Sequence, residues 1–122
     1  MAYAATVMSG GFSAQSSLAM AGGVATALTA AGTLYSDALA LGALDTHMIG
    51  TCASGAGVRV KAGSAGDSCW IFNGGASQCL VYPPTDAKFQ ELATNGSFVL
   101  PVNTSCFIKI VSATQALVIV SA

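Results

Sequence analysis

The chain has 122 residues, and Ala, Gly, Ser and Thr supply 60 of them. Only nine are Asp, Glu, Lys or Arg, 7% against a typical ~25%, although 53% of the chain is apolar. High apolar content with little charge argues against intrinsic disorder, a net charge of −1 against an electrostatic nucleic-acid binder, and one His with five scattered acids leaves few parts for an enzyme. The length fits one domain burying roughly 65% of its extended-chain surface. So little charge implies that much of that surface is covered by a membrane, by copies of the chain or by a larger assembly.

Residues 1–35 read as an N-terminal arm or first strand, ahead of a β-domain over 36–122. The arm is charge-free and its conspicuous aromatic is Phe12. It is long enough to span a bilayer, but Gly22, Gly23, Gly32 and many Ser and Thr dilute it below a spanning helix. No Lys or Arg flanks it to set an orientation, and no positive segment follows Met1 as in a secretory signal. The composition therefore predicts no membrane partner.

Strand signals strengthen from residue 38. Ala38–Leu41 and His47–Cys52 are short apolar runs, Gly55-Ala56-Gly57 marks a turn, and Val58-Arg59-Val60-Lys61 alternates as a half-wet strand does. Ser68-Cys69-Trp70-Ile71-Phe72 and Gln78-Cys79-Leu80-Val81-Tyr82 flank Asn73-Gly74-Gly75-Ala76, a strong hairpin signal. Pro83-Pro84 ends that hairpin, and Thr85–Thr94 reads as an exposed connection. Strands follow at Ser97–Leu100, Cys106–Val111 and Ala116–Val120, separated by turns at Asn103-Thr104 and Ser112–Thr114. Short strands at about ten-residue spacing predict an all-β fold, a small antiparallel β-sandwich or barrel-like domain with an extended N-terminal arm.

Four cysteines, Cys52, Cys69, Cys79 and Cys106, contain no Cys-x-x-Cys pair, and one His cannot complete a usual zinc set. They read first as small buried thiols. Cys69 and Cys79 are the candidate disulfide: a three-residue loop, Asn73-Gly74-Gly75, places them face to face. A two-residue loop, Gly74-Gly75, puts Cys69 opposite Leu80 and Trp70 opposite Cys79 instead.

Catalytic signatures are sparse. No Gly-x-Ser-x-Gly elbow occurs, and the Gly-rich stretches at 9–11 and 54–57 lack the following Lys and helix of a phosphate cradle. Asp45 and His47 share a strand face as an acid-oriented base would, but no third partner is visible in the sequence. Asp86 and Glu91 read as solvated loop acids. The expectation is a protein that is not an enzyme, with no cofactor and no metal.

Trp70-Ile71-Phe72, Leu80-Val81-Tyr82 and Leu117-Val118-Ile119-Val120 are apolar on both faces, whereas a half-exposed antiparallel strand alternates. One face packs on the opposing sheet, and the other needs a cover. Phe12, Trp70, Phe72, Tyr82, Leu117 and Ile119 are therefore the predicted subunit contacts. The last strand carries no charge to guard its edge, so it too is expected to be covered or paired in an assembly.

The chain resembles a family of small Ala/Gly-rich structural proteins of tailed bacteriophages, the capsid decoration (cement) proteins and related virion surface proteins. The features that carry the resemblance are Asp67 to Asn73 running into Gly74, Val81-Tyr82-Pro83-Pro84 with Asp86, and Asn95-Gly96-Ser97-Phe98. Leu100 to Phe107, the closing apolar strand, Gly11-Phe12-Ser13-Ala14-Gln15 and Leu18-Ala19-Met20-Ala21-Gly22-Gly23 complete them. Together they cover about two thirds of the chain; the family's usual Leu-Pro is Val60-Lys61 here. The resemblance implies a structural protein on the outer surface of the virion, bound to major capsid protein. A homotrimer on local threefold axes is the natural stoichiometry. A glycan- or receptor-binding head fibre or spike domain, using the loop Thr85–Thr94, and a secreted disulfide-linked surface module are the alternatives.

Overall fold

The computed structural model describes residues 23–121. Phe12 and most of the predicted arm lie outside the described residues. The fold is all-β in two layers. Its ten strands are β1 (Val24–Thr29), β2 (Leu39–Ala40), β3 (Thr46–Thr51), β4 (Gly57–Arg59), β5 (Ser68–Asn73), β6 (Cys79–Tyr82), β7 (Lys88–Phe89), β8 (Phe98–Leu100), β9 (Ser105–Ser112) and β10 (Gln115–Val120). Sheet A runs β1-β3-β5-β9-β10-β7 and sheet B runs β2-β4-β6-β8.

For its first two thirds the chain alternates between sheets, giving one strand to each in every coil. Val24 aligns with Thr46, and Thr46 with Trp70, so successive coils are 22 and 24 residues long. Within both sheets these coils stack in parallel, as in a solenoid. The last third closes the stack with antiparallel strands: β8 on β6, β9 on β5 and β10 on β9. The expected strands are present within a residue or two, in the expected two-layer all-β arrangement, with strand directions mixed.

The predicted hairpin over 68–82 is corrected. β5 and β6 lie in different sheets. The reason is edge occupancy: β5 pairs with β3 on one side and β9 on the other, which leaves β6 no ladder to join. The Gly-rich link therefore turns a corner between layers. Asn73 holds that corner. It is fully buried; its Nδ2 donates to the carbonyls of Ser77 and Leu100, each at 3.0 Å, and its Oδ1 accepts from the Gly75 N–H at 3.0 Å. Gly75 is required by close approach, since a Cβ there would lie 2.6 Å from the Cys52 backbone nitrogen and 2.8 Å from its Cβ.

Period-two alternation builds the core. Ile49, Ile71, Cys106, Ile108 and Ala116 point inward from sheet A, and Val58, Cys79, Val81 and Leu100 from sheet B. Phe89 seals one side, edge-on to Phe98 with centroids 5.1 Å apart.

Two substitutions test the corner and the core. Asn73→Asp places a carboxylate against two carbonyls, and Asn73→Ala orphans them; each is expected to cost about 2–4 kcal/mol, with Asp the worse. Ile71→Ala is expected to cost about 2–5 kcal/mol through the cavity it leaves. Denaturant unfolding midpoints measure both, and an Asn73→Ala midpoint equal to wild type would refute the role given to the corner.

Candidate interaction surface

The outward positions of sheet A form a continuous apolar face. Register places Thr46, Trp70, Phe107 and Ile119 side by side across β3, β5, β9 and β10. Met48 and Phe72 pair in the next row, and Leu117 opposes Lys109. Trp70 is 46% exposed and Ile119 70%. The rings of Trp70 and Phe107 pack at 4.8 Å between centroids, tilted by 54°. With Ile119 and Ser121 they line a shallow groove of about 300 Å³. Parallel pairing normally comes with both sheet faces covered. Here one face covers the core, while the other leaves an aromatic and several aliphatic side chains in solvent.

Of the six predicted contact residues, Trp70, Phe72, Leu117 and Ile119 are thus brought together on one face. Tyr82 is not. It is buried because the chain covers it: a 3-10 turn at Tyr35–Asp37 sets Tyr35 edge-on to it at 6.1 Å. Arg59 donates to the Tyr35 carbonyl at 3.0 Å and lies over the Tyr35 ring. Phe12 lies outside the described residues. Sequence reasoning missed Met48 and Phe107, although both occupy outward positions of runs whose alternation it recognised.

The edge of β10 is also corrected, because the chain covers it itself. β7 pairs with Gln115 and Ala116. Beyond them the Gln90 amide stands in for a strand: its Oε1 accepts from the Val118 N–H at 2.9 Å and its Nε2 donates to the Val118 carbonyl at 3.0 Å. At the opposite edge β1 carries two register irregularities and a left-handed Ala27 at φ 55°, a bulge of the kind that discourages regular edge pairing.

The Cys69–Cys79 disulfide is absent. All four thiols are free and buried, with Cys69 opposite Ile108 on β9 and Cys79 opposite Leu100 on β8. Burial pushes Cys69, Cys79 and Cys106 up to about 12, so these thiols stay protonated and weakly nucleophilic. Cys52 donates to the carbonyl of Gln78 at 3.5 Å, across adjacent coils. No group of three His, Cys, Asp or Glu side chains among the described residues is placed to hold a metal. No helix among them is long and apolar enough to cross a membrane. Asp86 and Glu91 are exposed in the loop between β6 and β8, whereas Asp45 and His47 line a cleft at the end of the stack. Compared with known proteins, the chain matches no family model, no curated sequence and no solved structure.

Two measurements follow from these side chains. A thiol reagent in denaturant without reductant is expected to titrate four thiols, and almost none in the folded protein; two missing thiols would restore the disulfide. Burial holds His47 below its ordinary 6.5, so the unfolded chain takes up the proton first. Stability is therefore full above about pH 6.5 and declines as pH falls from there toward the lowered folded value. Thermal midpoints in that window are expected to slope with pH in wild type and lose the slope in His47→Gln; equal slopes would exclude His47 as the titrating group.

Proposed function

We propose that the protein is a structural virion component that decorates a phage capsid and stabilises it by bridging major capsid protein subunits. The observation that carries this reading is the uncovered apolar face of sheet A, on a chain too poor in charge to keep such a face in water without a partner. The sequence resemblance supplies the phage setting. The mechanism is thermodynamic: copies that bind the assembled shell better than its separated subunits shift the equilibrium toward the closed shell. Trp70, Phe72, Phe107, Leu117 and Ile119 form the contact between copies in a trimer, which matches a local threefold site and multiplies weak contacts with the shell. The free thiols and protonated core sulfurs favour this reading over a secreted disulfide-linked module.

The test mixes purified protein with expanded, undecorated capsids, followed by imaging and shell melting. Density at regular lattice points with a raised shell melting temperature is expected; no binding, or occupancy only at a vertex or tail, sinks the proposal. Ile119→Lys changes a side chain mostly in solvent, so its unfolding free energy is expected to stay within about 0.5 kcal/mol. Self-association is expected to weaken at least about 30-fold, the effect of losing a central apolar anchor of ~2 kcal/mol. An Ile119→Lys protein that associates like wild type would remove this face as the contact.

A further inference from the structure

At the end of the stack where the chain returns from sheet B to sheet A, the connections 41–45 and 60–67 part around a cleft of about 290 Å³. Its floor is apolar, made by Leu41, Val60, Cys69, Ile108 and Ile110, all buried. His47 also lines it, and is 1% exposed. Its Nδ1 is buried with no hydrogen-bond partner, the only such side-chain atom among the described residues. A native buried polar atom without a partner needs an explanation. The cleft has the volume of several waters (about 30 Å³ each) and sits near the lower bound of small-ligand pockets, roughly 300 Å³.

We propose that this cleft binds a small uncharged polyhydroxy compound, a polyol or a single sugar ring. Three features select that chemistry. Burial keeps the His47 imidazole neutral, so Nδ1 presents either an N–H or a lone pair. A hydroxyl both donates and accepts and completes it in either tautomer; a carboxylate or an ammonium completes only one. The lining charges are Asp45, Asp67 and Lys61, too evenly mixed to select a strongly charged ligand. Asp67 is already committed in part, its Oδ2 accepting from the Ser64 N–H at 2.8 Å. Asp45 accepts only from the neighbouring Thr46 hydroxyl, at 3.3 Å, which leaves carboxylate lone pairs for ligand hydroxyls. The apolar floor then takes the C–H face that a polyol or sugar ring carries beside its hydroxyls. Cys69 belongs to this floor and is not a nucleophile, since its thiol is held protonated. The site is independent of the assembly reading and lies apart from the loop Thr85–Thr94 that the sequence had favoured for glycans.

The experiment uses the full chain and five probes: glucose, galactose and myo-inositol as neutral polyhydroxy compounds, with ethylammonium and acetate as charged comparators. The readout is the nitrogen-detected resonance of the His47 imidazole, alongside the backbone amides of 41–45 and 60–67. At least one neutral probe is expected to shift Nδ1 saturably with a Kd of about 1–10 mM. Asp45→Asn, which preserves shape, is expected to weaken that binding about tenfold. His47→Phe is expected to abolish the amide shifts, and Glu91→Gln in the exposed loop to leave them unchanged. The proposal is overturned by no saturable response to any neutral probe, which would leave the cleft to water. It is equally overturned by tighter binding of ethylammonium or acetate, or by amide shifts that persist in folded His47→Phe. If His47→Phe does not fold, Asp45→Asn alone decides: binding as tight as in wild type overturns the assignment.

Discussion

The buried amide of Asn73 is the interaction on which the architecture turns. Its three hydrogen bonds close the corner after β5, fix Leu100 of β8 against it, and spend the polar groups that a layer change would otherwise bury unpaired. The neighbouring main chain joins the same knot: Asn73 donates to the Thr104 carbonyl and accepts from the Asn103 N–H. One residue thereby ties a parallel coil to the antiparallel strands that cap it. Without that tie β6 would have no defined direction in which to leave sheet A, and the terminal strands would have no fixed platform.

From that corner the rest follows by burial. Each coil is too short to fold on its own, so its inward residues are covered only when the next coil stacks. Gly75 and Gly57 permit that stacking, for a Cβ on either would strike the adjacent coil: the Cys52 backbone in one case, the Leu80 carbonyl at 2.6 Å in the other. The core absorbs the thiols as small apolar groups. The surplus of large apolar side chains remains on the outside of sheet A, which is where the interaction surface arises.

Strand positions were legible in the sequence because alternation and turn residues are local. Runs such as Cys106-Phe107-Ile108-Lys109-Ile110 declare an inner and an outer face by themselves. Pairing was not legible. Asn73-Gly74-Gly75 suits a hairpin and a corner equally, and the choice was made by β3 and β9, which occupy both edges of β5. The same holds for the surface. Trp70 and Ile119 were recognisable as apolar on a second face, whereas the burial of Tyr82 depends on Tyr35, 47 residues away. Asp45 and His47 were visible as a pair, but the cleft around them needs Val60 and Ile108 from other strands, a proximity no local pattern encodes.

Gln90 carries a consequence for how such a molecule assembles. A sheet grows by adding strands to a ladder, and each edge is a reactive end in the sense of a polymer chemist's monomer. With its amide laid on Val118, the β10 end of sheet A is blocked as an end-capped monomer is, while β1 offers only a bulged ladder at the other. A unit with at most one working end terminates chains and does not propagate them. Higher order in this protein therefore comes from contacts between faces, which close into finite, symmetric groups, and a cross-β fibre grown through sheet A is excluded by a single side chain that imitates a peptide bond.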